Sequence, residues 1–130
     1  MRLLLDTHAL LWLLADDARL GDRARDLIVD PANDVFVSAA SFWEIVIKVR
    51  AGKLEADGVA VLDACRRTGL QVIDVTPEHT LAVQALPQFD DHRDPFDHLL
   101  LAQAKIAGLV FVTQDGKASR YPVAILRCSE

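Results

Sequence analysis

Short, continuous apolar runs alternate along this chain with segments of helical periodicity. The runs cover residues 3–5, 35–37, 72–73, 110–112 and 123–126. Runs that are apolar at every position, and not at every second one, indicate strands covered on both faces, which is typical of a parallel sheet. The chain is therefore constrained to bury a small parallel sheet between layers of helix.

The segments between the runs carry helical spacing. Phe42, Ile45 and Val49 fall at i, i+3 and i+7 and share one helix face. Further helices are predicted in residues 24–28, 57–68, 81–86 and 96–107. Pro95 precedes the last of these and Gly108 ends it. Alternating strands and helices predict a three-layer α/β/α sandwich with a central parallel sheet and right-handed crossovers.

The size and composition fit one such domain over residues 1–130. Hydrophobic residues make up 52% of the chain, which is enough to form a core without a disulfide or a structural metal. Neither Cys65 nor Cys128 belongs to a CxxC pair, so we expect two apolar core fillers in a reducing compartment. The formal net charge of −5 argues against a protein that binds nucleic acid by electrostatics alone.

The apolar N-terminal stretch raises the question of a signal peptide. Asp6 and His8 interrupt it where a signal core carries no charge. No apolar run reaches the 18 residues that a membrane span requires. We therefore expect a cytoplasmic protein.

Four acidic residues fall at corresponding places in this pattern. Asp6 follows the first apolar run directly, and Asp115 lies three residues after the run 110–112. Glu44 is predicted in the first turn of the helix that follows the second run, and Asp97 in the first turn of the helix 96–107. Strand ends and the starts of crossover helices share the carboxyl edge of a parallel sheet, where ligands bind. We therefore expect the four carboxylates to converge.

Such convergence is costly without a cation. Two like charges about 4 Å apart repel by roughly 4 kcal/mol at an effective dielectric near 20. Oxygen ligands without a zinc-like His or Cys pattern favour Mg²⁺ or Mn²⁺. The sequence thus predicts a hard-cation site, and such an ion can generate a hydroxide nucleophile, neutralise a phosphate and stabilise a leaving oxygen.

Each acidic residue also has a purely structural interpretation. Asp6 is suited to capping the helix that follows, and Ser41 with Glu44 forms a capping-box pattern. Asp97 suits the positive end of a helix dipole, and Asp115 with Gly116 is a common turn pair. A carboxylate that caps a helix can also bind a metal, so the two interpretations are compatible.

Four segments carry a resemblance to a known family. They are LLLDTHALLWLL (3–14), SAASFWEIVIK (38–48), HRDPFDHLLLAQA (92–104) and VTQD (112–115). Together they resemble the PIN-domain family, and within it the VapC-type toxins of bacterial toxin–antitoxin pairs. The resemblance implies a metal-dependent endoribonuclease that forms a homodimer and is blocked by a cognate antitoxin. By position, Asp6, Glu44 and Asp97 match the family's acidic triad, and Asp115 matches its fourth acidic site.

The resemblance also suggests supporting residues. Thr113 matches a frequent hydroxyl position beside Asp115, and Asp94 is close enough to Asp97 to be the ligand in its place. A strongly basic residue is expected after Asp97, whereas this chain has His98. The basic residues considered for RNA binding are Lys48, Arg50, Lys53, Arg93 and Lys117. Lys48 lies four residues after Glu44, so a helical ion pair is the alternative there.

The histidines and tryptophans have more than one interpretation. His8, His79, His92 and His98 show no zinc-like spacing, so a metal-binding role is not favoured. Trp12 and Trp43 lie in apolar helical patterns, where packing in the core or in a dimer is favoured over stacking on bases.

Three rival functions remain open. A phosphohydrolase of the haloacid-dehalogenase kind also starts with an Asp after its first strand, but it needs a second Asp where this chain has His8. A receiver-type phosphoacceptor needs paired acids after the first strand, whereas Asp6 is alone and Asp74 lies inside an apolar run. A non-catalytic binding module of the same fold is the third.

Overall fold

The computed structural model describes residues 1–130 and contains one five-stranded sheet. The strands are β1 (Arg2–Leu5), β2 (Asp34–Ser38), β3 (Gln71–Ile73), β4 (Val110–Thr113) and β5 (Ile125–Arg127). All pairings are parallel, in the order β3-β2-β1-β4-β5. The central strand β1 is covered on both faces, since Leu3, Leu4 and Leu5 have no exposed surface. The predicted α/β/α sandwich with a central parallel sheet is confirmed.

Six helices connect the strands. They are α1 (Thr7–Leu14), α2 (Asp22–Val29), α3 (Ala39–Arg50), α4 (Gly58–Arg67), α5 (Pro77–Ala82) and α6 (Pro95–Ala107). Local chemistry sets several of their ends: Thr76 and His79 form a capping box at α5, and Gly108 ends α6 with φ 65°. Two 3₁₀ turns, Val83–Ala85 and Gly116–Arg120, follow α5 and β4. None of the helices combines the length and apolar character needed to cross a membrane.

The two faces of the sheet carry separate apolar cores. Leu3 and Leu5 belong to one core, which also takes residues from α1, α2 and α4. Leu4 and Phe111 belong to the other, where α6 supplies most of the buried helical residues. This alternation along β1 gives the sandwich its three layers.

The topology places a crevice beside the central strand. From β1 the chain moves outward through β2 to β3, then crosses to the other side of β1 and continues through β4 to β5. Strand order therefore reverses between β1 and β4, and parallel sheets bind ligands beyond the carboxyl ends of strands at such a point. Asp6 follows β1 there and Asp115 follows β4.

The start of α3 differs from the sequence expectation. The helix begins at Ala39 directly after β2, and Ser38 caps it by accepting a hydrogen bond from the N–H of Ala40 at 3.0 Å. The predicted capping box of Ser41 and Glu44 is therefore wrong, and Glu44 lies in the second helical turn. Ser38 takes the cap because it is the last extended residue and carries a hydroxyl, so no loop is needed.

Candidate active site

The carboxyl edge of the sheet holds a cleft of about 310 Å³ with five acidic residues on its wall. They are Asp6, Glu44, Asp94, Asp97 and Asp115. The other residues that line it are Thr7, His8, Trp12, Arg19 and Gln114. The structure thus brings together the four carboxylates selected from the sequence, with Asp94 beside them.

Asp6 lies in the only residue position between β1 and α1. Its Oδ1 accepts a hydrogen bond from the N–H of Ala9 at 2.7 Å, so it caps α1. Burial raises the pKa of Asp6, while hydrogen bonds from Thr113 and Ala9 act in the opposite direction without cancelling that effect. The nearby charge of Glu44 adds to the rise. Asp6 is therefore a buried carboxylate that lacks a full counter-charge.

Glu44 is held by partners on both of its oxygens. Oε1 accepts the hydroxyl of Thr7 at 2.6 Å, and Oε2 lies 2.5 Å from Nζ of Lys48 one helical turn later. Thr7 also lies 3.0 Å from the hydroxyl of Ser41. Glu44 is only 3% exposed, so this network fixes the direction of a buried charge. The helical ion pair considered for Lys48 is thus formed.

Asp94 and Asp97 start α6 together. Asp94 Oδ1 accepts the N–H groups of Phe96 and Asp97, at 2.9 and 3.4 Å, and so caps the helix. The pKa of Asp97 is raised to about 6, chiefly by burial and also by the charges of Asp94 and Asp6, against the opposing contact with His92. Asp97 is therefore mostly ionised at neutral pH but takes up a proton more readily than an ordinary aspartate when no cation is bound.

His92 joins two of the acidic residues, a contact that the sequence did not indicate. Its Nε2 lies 3.2 Å from Oδ2 of Asp97 and 3.2 Å from Oδ2 of Asp115. Its Nδ1 lies 2.7 Å from the hydroxyl of Tyr121, and its carbonyl accepts from Nε2 of His98 at 2.8 Å. His92 is 5% exposed, so this is a buried, fully partnered imidazole.

The chemistry of these partners assigns the protons of His92. Ionised carboxylates only accept hydrogen bonds, so Nε2 carries a proton toward Asp97 and Asp115. In the neutral ring Nδ1 then accepts from Tyr121, whose hydroxyl stays protonated because burial raises its pKa. A protonated Nε2 is a donor and not a metal ligand, although the three atoms lie within 4.8 Å of one another.

Asp115 and Thr113 belong to the turn after β4. Oδ1 of Asp115 accepts the N–H of Lys117 at 2.9 Å, and the hydroxyl of Thr113 accepts the N–H of Asp115 at 3.1 Å. Thr113 is buried, and its hydroxyl also lowers the pKa of Asp6. This residue therefore links the two carboxylates that follow β1 and β4.

The basic residues considered for RNA binding lie outside the cleft wall. Arg93 is exposed and lies 3.6 Å from Asp90, and Nζ of Lys117 donates to the carbonyl of Asp91 at 2.6 Å. Arg50 and Lys53 are exposed near the end of α3. Lys48 points its ammonium at Glu44, as described above.

The donor set of the cleft fits a hard divalent cation. Carboxylate oxygens predominate, and Asp6 and Asp97 both have raised pKa values because they are buried near like charges. The ammonium of Lys48 contacts Glu44 and forms no ion pair with Asp6 or Asp97. Mg²⁺ and Mn²⁺ prefer such oxygen ligands and would relieve the repulsion.

The family comparison matches almost the whole chain. A family model described as the PIN domain matches residues 3–124. A curated relative, Ribonuclease VapC16 of Mycobacterium tuberculosis, is 39% identical over 62 residues. That match covers 45% of this chain and 44% of the relative, so it spans less than half of that protein's length.

Solved structures share the fold over the full length. A chain from VapBC2 of Rickettsia felis, bound to a promoter DNA fragment, has a TM-score of 0.68 at 18% identity and matches over 98% of both chains. A toxin–antitoxin complex from Klebsiella pneumoniae gives 0.64 at 18% identity, also over 98% of both. VapBC-1 from nontypeable Haemophilus influenzae gives 0.65 at 14% identity over 100% of both.

Proposed function

This chain belongs to the PIN domain family, and on that premise we propose that it is a metal-dependent endoribonuclease, the VapC-type toxin of a toxin–antitoxin pair. The observation that carries the proposal is the convergence of Asp6, Glu44, Asp97 and Asp115 on one cleft at the switch point of the sheet. The relative named as a ribonuclease supports the choice of RNA as substrate.

In this proposal Asp6 and Asp97 hold Mg²⁺, or Mn²⁺ in its place, and Glu44 and Asp115 complete the site directly or through water. When bound, the ion supplies charge for the phosphate and lowers the pKa of a water molecule. Asp94 supports the site as the cap of α6, and Thr113 supports it through its contacts with Asp115 and Asp6.

The chain's own residues hold and orient these groups. Thr7 and Lys48 fix both oxygens of Glu44, and His92 donates to Asp97 and Asp115 from Nε2. Asp97 takes up a proton more readily than an ordinary aspartate until a cation binds, because its pKa is raised to about 6. Each carboxylate thus has a fixed direction before substrate binds, which lowers the reorganisation needed for catalysis.

The partners follow from the relatives and from the surface of α3. The named neighbours include toxin–antitoxin complexes, and we infer that an antitoxin also binds this chain. Trp43 is 60% exposed on α3, and Val46, Ile47 and Val49 of the same helix are partly exposed. Exposed apolar surface of this kind suits a protein partner, and we assign it to the antitoxin. A homodimer of the chain and a cytoplasmic location are further parts of the proposal.

The test is cleavage of total RNA by the purified, antitoxin-free chain with Mg²⁺ and with EDTA. Asp97→Asn is the inactivating variant, and Asp63→Asn is its control because Asp63 is an exposed Asp on α4, paired with Arg67. We expect discrete fragments with Mg²⁺, no cleavage in EDTA or by Asp97→Asn, and unchanged cleavage by Asp63→Asn. Intact RNA from a folded wild-type chain with bound Mg²⁺ would overturn the proposal.

A further inference from the structure

One wall of the acidic cleft is formed by an aromatic ring and a guanidinium group. Trp12 on α1 and Arg19 in the loop after it both line the cleft. The Cζ atom of Arg19 lies 4.8 Å from the centroid of the Trp12 ring. This is the range in which a guanidinium plane interacts with an aromatic face.

The guanidinium is held in place from a second side. Nε and Nη2 of Arg19 contact the two carboxylate oxygens of Asp17, at 3.1 and 2.7 Å. The N–H of Asp17 in turn donates to the carbonyl of Trp12 at 2.9 Å, and Leu20 anchors the loop in the core at 2% exposure. The pair lowers the pKa of Asp17 to about 2, so the contact is charged on both sides at neutral pH.

This arrangement leaves a flat surface and little free charge. The side chain of Arg19 is 67% exposed although it is paired, and Trp12 is half-buried against the core. Asp17 offsets the charge of Arg19, so Arg19 is poorly suited as a simple phosphate contact. A planar, fixed guanidinium beside an indole is suited to stacking on a nucleobase.

The proposed ribonuclease needs affinity that its charge does not provide. The net charge is −5 and the cleft itself is acidic, so phosphates are not attracted by the chain alone. Stacking of a base on a flat side chain depends only weakly on the net charge of the protein. It also accepts every base, because every base has a π-face. A nucleotide whose phosphate lies at the carboxylates would place its base within reach of Trp12 and Arg19, which line the same small cleft.

We propose that Trp12 and Arg19 form a stacking site for an unpaired nucleobase next to the phosphodiester that is cleaved. This inference rests on the proposed ribonuclease function and names the substrate as single-stranded RNA at that position. His8, whose ring centroid lies 5.9 Å from that of Trp12, borders the same site. An antitoxin side chain that stacks here is the competing occupant, and the test below separates the two.

Binding is measured with the full chain carrying Asp97→Asn, which prevents cleavage, and Trp43→Phe, which leaves Trp12 as the only tryptophan. The probes are a hexamer of adenosine and an abasic hexamer with the same phosphates. We expect the adenosine hexamer to quench the fluorescence of Trp12 and to bind about tenfold more weakly to Arg19→Ala. Arg19→Lys should lose nearly as much, because lysine keeps the charge but not the plane. The abasic hexamer should bind weakly and equally to all of these variants.

The matched control is Arg23→Ala. The side chain of Arg23 is 65% exposed and ion-paired to Glu130, so it resembles Arg19 in exposure and pairing but does not line the cleft. In the active chain, Arg19→Ala should raise KM about tenfold with little change in kcat, and Arg23→Ala should change neither.

Three results would overturn the inference. Arg19 would be a phosphate contact if Arg19→Lys binds the adenosine hexamer as tightly as the parent chain does, and if Arg19→Ala loses as much affinity for the abasic hexamer as for the adenosine hexamer. Unchanged RNA binding by Arg19→Ala, with weaker capture of the cognate antitoxin by Arg19→Ala in a chain that retains Trp43, would make the site a protein contact. If the wild-type chain cleaves no RNA in the total-RNA assay, the proposed function itself fails and the stacking site fails with it.

Discussion

The Nδ1 atom of His92 lies 2.7 Å from the hydroxyl oxygen of Tyr121. The two residues are 29 positions apart, and both are at most 5% exposed. The hydroxyl of Tyr121 donates to Nδ1 and so supports the tautomer in which the Nε2 proton points toward Asp97 and Asp115. A tyrosine outside the cleft therefore helps to fix how two of its carboxylates are held.

Replacing Tyr121 with Phe should disturb the carboxylates without removing one. The variant leaves Nδ1 of His92 buried without a donor, which should lower the free energy of unfolding by about 1–3 kcal/mol. Mg²⁺ affinity should fall by roughly tenfold, as is common when a group that orients a ligand is lost. Chemical denaturation and calorimetric Mg²⁺ titration measure the two effects.

The control for Tyr121→Phe is Phe89→Leu. Phe89 packs edge-on against Tyr121 with ring centroids 5.3 Å apart. Its only polar contact with His92 is through its backbone carbonyl, which accepts the N–H of His92 and is kept in the Leu variant. We expect it to lower stability and leave Mg²⁺ affinity unchanged. Equal Mg²⁺ affinity in wild type and Tyr121→Phe would show that the tyrosine contributes packing only.

Stability without metal should depend on pH through Asp97. Its pKa is raised from 3.8 to about 6 in the folded chain, so the folded state binds the proton more tightly than the unfolded state. The contribution of this group to stability is therefore largest at low pH and is lost as pH rises from about 4 to about 6, by up to roughly 3 kcal/mol. Asp97→Asn should remove this loss, so in EDTA it should be more stable than wild type at pH 7.5.

The measurement is the difference in unfolding free energy between Asp97→Asn and wild type at several pH values in EDTA. Taking the difference removes the contributions of titrating groups that do not interact with Asp97. Asp63→Asn serves as the exposed control and should differ from wild type by a constant amount. A difference for Asp97→Asn that stays constant from pH 4 to pH 7.5 would contradict the raised pKa.

The fold was predictable because its determinants are local. Apolar runs such as 3–5 and 110–112 mark buried parallel strands. Gly108 follows a helical pattern directly, and a glycine at that place commonly ends a helix. The approach of Asp6 to Asp115 followed from the same pattern, since parallel strands end at one edge. Their roles in catalysis stay predictions.

Contacts between distant segments were not predictable in this way. His92 lies in a loop without periodicity, and its role depends on Tyr121, for which no local pattern exists. The pairing of Trp12 with Arg19 depends on the path of the loop after α1, where Asp16 adopts a φ of 51°. The start of α3 was misplaced because Ser38 and Ser41 are both suitable caps, and only the end of β2 decides between them.

The main role of Lys48 should be the ion pair with Glu44 and not a contact with RNA. Although burial lowers the pKa of Lys48, the contact with Glu44 outweighs it and raises the pKa. Lys48→Met leaves a buried carboxylate supported by Thr7 alone and should cost about 1–3 kcal/mol of stability. The double variant Glu44→Gln/Lys48→Met should recover part of this loss, which a double-mutant cycle in denaturant measures.

The exposed Lys53→Met is the control for Lys48→Met and should leave stability unchanged. If Lys48→Met keeps full stability and only raises KM for RNA, then Lys48 is a substrate contact and the ion pair contributes little.

Trp43 should matter for the antitoxin and not for the fold. Its side chain is largely exposed on α3, so Trp43→Ser should change the free energy of unfolding by less than about 0.5 kcal/mol. Binding of the cognate antitoxin, measured by calorimetry, should weaken at least tenfold if this surface is the contact. Val29→Ser, on the exposed face of α2, is the matched control. Equal antitoxin affinity for both variants would exclude the α3 surface.

Mg²⁺ should stabilise the chain through Asp6 and Asp97 together. Both have raised pKa values without the ion, so a bound cation removes an existing strain as well as adding contacts. At a Mg²⁺ concentration one hundred times the dissociation constant, the folded state should gain about 2.7 kcal/mol. Asp6→Asn should raise stability in EDTA, because it removes a buried charge, and should lose most of the gain from Mg²⁺. A metal ligand is thus recognised by a gain of stability in EDTA together with a loss of stabilisation by Mg²⁺. If Asp6 only capped α1 through Ala9, Asp6→Asn would lower stability both in EDTA and with Mg²⁺.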